Sequence, residues 1–293
     1  MIEKLIKKYR KLPLLKSFSG RFPKTAYHLF YRPVSYIRYR NERELEKGKN
    51  VSNSKSPSII LFTIQKCAST LITKILKDLS EADGMVHIDF DSYFTTIDET
   101  KYQLFDENSF QTKALRPKGY YYGAWRHLRR VDALDRFRTL LILRDPKDVL
   151  TSMYFSIAYS HSPVAIKMAD ERKRVLKLTI DEFVIEKSPF IAKRYEDYAT
   201  HLLGKKGVLF LRYEDMVADF PAWLDKLAAH VGMDNQQEVL DHYKETISFT
   251  VERDNKYAHI RSIQPGDHLR KLKPETITQL NKVLKTANEQ FGY

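Results

Sequence analysis

The sequence predicts an α/β protein with three layers: a central, mostly parallel β-sheet with helices on both faces. Two observations carry that expectation. From Ser58 onward, short apolar runs alternate with helix-like segments, a pattern that builds parallel sheets covered on both sides. The chain has 293 residues, of which 43% are hydrophobic, enough for a sizeable core.

The first element is "MIEKLIKKYRKLP". Ile2, Leu5, Ile6, Tyr9 and Leu12 recur at helical spacing, lysines and arginine fill the other face, and Pro13 is a stop. Such a helix either lies on an anionic membrane surface or packs its apolar face on its own protein or on a second copy, so a homo-oligomer stays open. Residues 17–45 interleave aromatic and basic side chains. That composition binds nucleic acid in some proteins, but no RNA- or DNA-binding motif accompanies it, and nucleic acid is not an expected partner. "KGKNVSNSKSP" (47–57) is polar and reads as a linker. The expected organisation is therefore a basic, aromatic-rich arm over 1–54 and a body over 55–293. Residues 1–54 hold 14 Lys or Arg against 4 Glu, whereas the whole chain carries a formal charge of +13. The excess belongs to the arm, which calls for an anionic partner there.

In the body, the apolar runs predict strands over Ile59–Thr63, Met85–Phe90, Gly119–Ala124, Thr139–Leu143 and Val208–Leu211. Helices are predicted over Ser69–Leu79, Pro146–Ala158, Pro163–Leu178, Pro221–Val231 and Pro274–Gln290. Four of these open on proline, which suits the first helical position. Cys67 is the one cysteine, which excludes an intramolecular disulfide and a cysteine-based zinc cluster. A reducing compartment fits, and the expected location is the cytoplasm, peripheral to a membrane wherever the arm binds one. No run approaches the 18 or so apolar residues of a bilayer span, and the N-terminus lacks the apolar core of a secretory signal. No metal-ligand spacing occurs, and no metal is expected.

Ligands of parallel sheets bind at the carboxyl ends of the strands, and three features fall there: Lys66, Arg144 and Tyr213. In "LFTIQKCASTLITKIL" (61–76) a strand hands over to a helix through Gln65, Lys66, Cys67, Ala68, Ser69 and Thr70. The helix start offers unsatisfied backbone N–H groups and a positive dipole end, a ready anion site. The alternative is an ordinary turn with a surface lysine. In "TLLILRDPKDVLTSMYFS" (139–156) Arg144 ends a strand, Asp145 is a helix cap, and Ser152 lies eight residues beyond Arg144. Both can face one phosphate; the alternative is an Arg144–Asp148 or Arg144–Asp145 ion pair with a solvated serine.

These two motifs resemble the sulfotransferase family that uses 3′-phosphoadenosine-5′-phosphosulfate (PAPS). "TIQKCAST" looks like the family's 5′-phosphosulfate loop, with Gln65, Cys67 and Ala68 where proline, serine and glycine are usual. "LRDPKDVLTSMY" is very similar to its 3′-phosphate motif. "FLRYEDMVADF" (210–220), "TISFTVERDN" (246–255) and "IRSIQPGDHLRKLKPE" (260–275) resemble, in order, the segments that meet adenosine, adenine and the 3′-phosphate. The resemblance implies a P-loop-NTPase-like sulfotransferase fold. It also implies a nucleotide site that includes Gln65, Lys66, Cys67, Ala68, Ser69, Thr70, Arg144, Ser152, Tyr213, Phe249, Arg261 and Ser262. Lys66 would act at the leaving group. PAPS would be the co-substrate and adenosine 3′,5′-bisphosphate the product.

An acceptor hydroxyl also needs a base. "YYYGAWRHLRRVD" (120–132) places His127 where many members of the family carry a catalytic histidine. The rivals are His87, Asp89 and Asp91 in "GMVHIDFDSYF" (84–94), which share one face if that segment is a strand. His161 in "AYSHSPV" reads as a solvated residue at a helix end, and Trp125 and Trp223 as core or rim aromatics. The expected acceptor carries a hydroxyl or amine on a glycan, glycolipid or other lipid. Two other readings remain: a nucleotide or small-molecule kinase, opposed by the missing Gly-Lys-Ser/Thr ending, and a non-catalytic membrane- or polyanion-binding protein on a decayed sulfotransferase fold.

Overall fold

The computed structural model of the chain describes residues 32–97, 115–160, 166–249 and 263–293. The expected helix over 1–13, as well as His161, Arg261 and Ser262, lie outside the described residues. In chain order the elements begin with α1 (Arg32–Arg38), α2 (Arg40–Glu46), β1 (Ile59–Thr63), α3 (Ser69–Ala82), β2 (Val86–Ile88), α4 (Phe90–Ile97), β3 (Tyr120–Trp125), β4 (Arg138–Leu143), α5 (Pro146–Phe155) and α6 (Ile166–Val175). They continue with α7 (Ile180–His201), β5 (Val208–Arg212), α8 (Tyr213–Ala218), α9 (Phe220–Val231), α10 (Gln237–Thr246), α11 (Asp267–Lys271), α12 (Pro274–Val283) and α13 (Lys285–Phe291).

The chain divides into two compact units, residues 1–52 with 88–115 and residues 53–87 with 116–293. In the first, the backbone N–H of Asp89 donates to Glu42 Oε1 at 2.9 Å and Tyr93 OH donates to Glu46 Oε2 at 2.6 Å. The rings of Tyr39 and Tyr93 lie 5.8 Å apart. Burial raises the Glu42 carboxyl above its ordinary value, against the Asp89 hydrogen bond that lowers it.

The second unit holds the sheet, in the order β2-β3-β1-β4-β5. β1 runs parallel to β3 and β4, and β4 parallel to β5. Thr63 lies opposite Ile142, which in turn lies opposite Leu211, so β1, β4 and β5 end level. Ile59, Leu61, Leu140, Ile142 and Leu211 face one side, where α3, α9 and α10 cover them with Ile72, Leu76, Trp223, Leu227 and Tyr243. On the other side α7 packs with α5, α12 and α13. There the Phe62 and Tyr198 rings meet at 6.3 Å and Tyr198 OH donates to Thr63 O at 2.8 Å. Each fully buried Leu, Ile or Phe adds about 1.5–3 kcal/mol of transfer energy, which is why this sandwich closes. Trp125 and Trp223 are core residues, 1% and 2% exposed.

Four expectations need correction. The second strand spans only Val86–Ile88. Asp89 Oδ1 accepts from Ser92 N at 2.9 Å and so caps α4. Asp89 and Asp91 therefore belong to a helix start and share no strand face with His87; the local cap overrode the alternation. The helix expected over Pro274–Gln290 is two, with Leu284 between them. The helix expected to end at Ala158 widens to a π turn over Ser156–Ser160. Finally, α7, 22 residues long, had no sequence expectation at all. It opens on a capping box of Thr179 with Glu182 and carries Pro189 inside, a residue that reads as a breaker in sequence.

Candidate functional site

The loop from β1 to α3 has an unusual backbone. Lys66 and Ala68 both sit at positive φ, 74° and 56°, a region that costs a non-glycine residue about 1 kcal/mol or more. Left-handed residues of this kind turn successive N–H groups to one side and make anion-binding concavities. Ile72 N–H is the first in α3 to bond back, to Ala68 O at 3.1 Å. Ser69, Thr70 and Leu71 thus have no intrahelical acceptor, and no side chain caps the helix. Cys67 is fully buried, and burial pushes its thiol up to about 12; what it offers the loop is its amide. Ser69 Oγ accepts from Arg126 Nη2 at 3.4 Å, and Thr70 is exposed.

Arg144 joins the three strand ends. Its guanidinium is 3% exposed. Nη1 donates to Lys66 O at 3.4 Å, Nη2 donates to Asp148 Oδ2 at 3.1 Å, and the group lies 4.4 Å from the centre of the Tyr213 ring. Lys66 follows β1, Arg144 follows β4, and Tyr213 follows β5. The Arg144–Asp148 ion pair foreseen as the bland alternative is thus real, but it occupies only part of the guanidinium: Arg144 Nε is buried with no hydrogen-bond partner among the described residues. Tyr195 OH, on α7, donates to Arg144 O. Asp148 and Ser152 stand one helical turn apart on α5, on one face; Ser152 is partly exposed.

Asp148 is the hub behind this pair. It is fully buried and also accepts from Gly266 N at 2.8 Å, His268 N at 2.9 Å and His268 Nδ1 at 2.7 Å. Burial alone would raise its carboxyl, but the His268 hydrogen bond and Arg144 prevail and hold it at about 2. The Gly266–His268 turn is thereby fastened to the Arg144 motif. Burial likewise raises Tyr213 to about 12, so it is a neutral phenol whose OH donates to Ile263 O at 2.7 Å. Phe249 is partly buried, meets Phe220 edge-on at 5.4 Å, and its carbonyl accepts from Gln264 Nε2 at 3.0 Å.

Arg194 of α7, which sequence reasoning missed, links the loop between β1 and α3 to His127. Only 8% exposed, it donates through Nη1 to Gln65 Oε1 and Arg126 O, each at 2.9 Å. Its Nη2 lies 2.8 Å from His127 Nδ1 and 3.2 Å from Nε2. His87 is held differently: Nε2 sits 2.8 Å from Gly123 O and the ring stacks on Tyr121 at 4.8 Å. A carbonyl only accepts, so Nε2 is the donor in that contact.

Among the described residues no group of three or more His, Cys, Asp or Glu could hold a metal ion, and no helix is long and apolar enough to cross a membrane. Residues 56–292 match the family model described as the sulfotransferase domain. Mouse sulfotransferase SULT7A1 complexed with PAP has a similar fold, with a TM-score of 0.54 and 16% identity over 85% of this chain and 89% of that one. Retinol dehydratase in a complex with retinol and PAP scores 0.43, with 18% identity over 84% of this chain and 86% of that one. No curated protein matches by sequence. The family match spans most of the chain, and the protein belongs to the sulfotransferase domain family.

Proposed function

We propose that the protein transfers a sulfuryl group from PAPS to a hydroxyl or amine of an acceptor. The observation that carries this reading is the Arg144 guanidinium, which binds Lys66 O and Asp148 and stacks on Tyr213, so that the ends of β1, β4 and β5 form one cationic site. The residues fit a doubly anionic nucleotide. Arg144 Nε is a buried donor without a partner among the described residues, and the amides of residues 69–71, at the start of α3, have no intrahelical acceptor. Ser152, Tyr213 and Phe249 complete the nucleotide side, and Arg261 and Ser262, outside the described residues, belong to it by resemblance. PAPS supplies the sulfuryl group, and its phosphate is the leaving group.

Lys66 neutralises charge on the leaving oxygen, an electrostatic role like that of cations in phosphoryl transfer. Arg144 holds the 3′-phosphate. The acceptor oxygen gives its proton to a base as its bond to sulfur forms, and His127 and His87 are the groups offered for that. The acceptor is a hydroxyl-bearing glycan, glycolipid or other lipid, and the basic arm over 1–54 serves an anionic, membrane-borne source of it. Turnover of labelled PAPS across an acceptor screen, with calorimetry of adenosine 3′,5′-bisphosphate against ATP, tests this. Tight bisphosphate binding with transfer supports it; ATP binding instead would favour a kinase, and bisphosphate binding without transfer to any acceptor a decayed, non-catalytic site.

A further inference from the structure

Away from the strand ends that hold Arg144, the chain builds a second cationic cavity. It measures about 320 Å³ and lies between the segment after β3 and the turn from α7 to β5, within the size range of small-molecule pockets. Leu134 and Asp135 precede β4, and Lys205 and Lys206 precede β5. The cavity therefore sits at the amino ends of strands whose carboxyl ends lead to Arg144 and Tyr213. From Arg138 to Arg144, β4 spans roughly 20 Å at about 3.3 Å per residue.

Arg129, Arg130, Lys205 and Lys206 line this cavity, and Asp135 is the one acid among the described residues that do. Arg129 is 1% exposed. Lys205 and Lys206 are exposed and have no ion-pair partner among the described residues. The backbone of the lysine turn is fixed. Gly204 and Gly207, on either side of it, have φ of 69° and 82°. Val208 N–H donates to Lys205 O at 3.1 Å, and Thr139 N–H donates to Gly207 O at 2.9 Å. A Cβ on Gly207 would come 3.1 Å from Phe137 O, so the turn sits directly on the start of β4. Leu128, Val131, Leu134 and Leu202 supply an apolar wall. A cationic rim on an apolar wall matches a molecule with an anionic head and an apolar body. Cations held together repel one another, and a bound anion relieves that repulsion. The backbone of the turn needs no ordering when the anion arrives.

We propose that this cavity is a second ligand site, which binds a phosphate or sulfate ester carried on an apolar body. The charged head meets Lys205 and Lys206, and the body lies against Leu134 and Leu202. The site is separate from nucleotide binding and stands whether or not the chain transfers sulfuryl groups.

Octyl phosphate below its micellar concentration is the probe, read by calorimetry on the full chain. We expect one molecule to bind per chain, and octanol and inorganic phosphate each to bind at least about tenfold more weakly, since each lacks one half of the match. Lys205→Glu with Lys206→Glu should weaken octyl phosphate at least about tenfold, whereas Lys282→Glu with Lys285→Glu, the same charge change elsewhere, should leave it within about threefold. If the first pair disturbs folding, Lys205→Gln with Lys206→Gln should give the same ordering. Saturating adenosine 3′,5′-bisphosphate should leave the affinity unchanged. Parental affinity in the Lys205 and Lys206 variants, equal loss in the Lys282 and Lys285 variant, or displacement by the bisphosphate overturns the proposal. Phosphatidylcholine vesicles with phosphatidic acid separate a lipid from a soluble source. Weaker sedimentation of the Lys205 and Lys206 variant than of the parent assigns the head to a lipid. Equal sedimentation, with octyl phosphate binding still lost, assigns it to a soluble ester.

Discussion

Asp148 takes four donors with no surface in water, and its titration has a definite sign. Its folded-state value, about 2, lies below the ordinary 3.8. The stability it contributes is therefore fully present above the ordinary value and disappears as pH falls through about 2. Acid unfolding of the parent should be steeper than that of Asp148→Asn across this window. At neutral pH the same substitution leaves Arg144 without its counter-ion and should cost about 3–5 kcal/mol in urea unfolding. Lys66→Ala should abolish transfer with an unchanged circular dichroism spectrum; near-parental turnover would remove Lys66 from the mechanism. Arg144→Ala should weaken binding of the bisphosphate at least tenfold more than binding of acceptor, read by calorimetry. At this scale the sequence was legible where spacing is chemistry, as in Arg144 and Ser152. Arg194 was not, because a charged residue in "FIAKRYED" looks like any solvated position of a helix.

Among the elements, the short edges were hardest to read and the strands easiest. β1 has the boundaries its apolar run implies, since a strand buried on both faces is a continuous apolar segment. β2 is shorter because a single carboxylate, Asp89, caps the next helix. α7 was hidden by Pro189, which the helix accommodates. The loop at 64–68 gives a sharper prediction. Ala68 occupies a left-handed conformation where glycine carries no Cβ penalty. Ala68→Gly should leave nucleotide binding within about threefold of the parent and shift stability by no more than about 1 kcal/mol, the Cβ relief being offset by greater freedom in the unfolded chain. A loss of binding beyond that would mean that the Ala68 methyl touches the ligand.

At the scale of the whole molecule, the packing of the arm's described part sets how the arm is tested. The described part of 1–52 packs with residues 88–97 through Glu42, Glu46, Tyr39 and Tyr93. Removing 1–54 would uncover that surface, and we expect the truncated chain to melt several degrees lower, since about 1 kcal/mol moves a domain of this size by 2–4 °C. Charge reversal of lysines in the first 16 residues is the cleaner probe. It should weaken sedimentation with phosphatidylserine vesicles, and more so at low salt, where screening is least. Unchanged sedimentation would separate the arm's charge from any membrane role.

Arg194 and Tyr195 are neighbours on α7, and one reaches the His127 side while the other reaches the backbone of Arg144. Successive residues of a helix point about 100° apart, so this one rod clocks the His127 side against the Arg144 side. The two halves cannot drift in phase independently, and an extra residue spliced between positions 194 and 195 would throw both out of step at once.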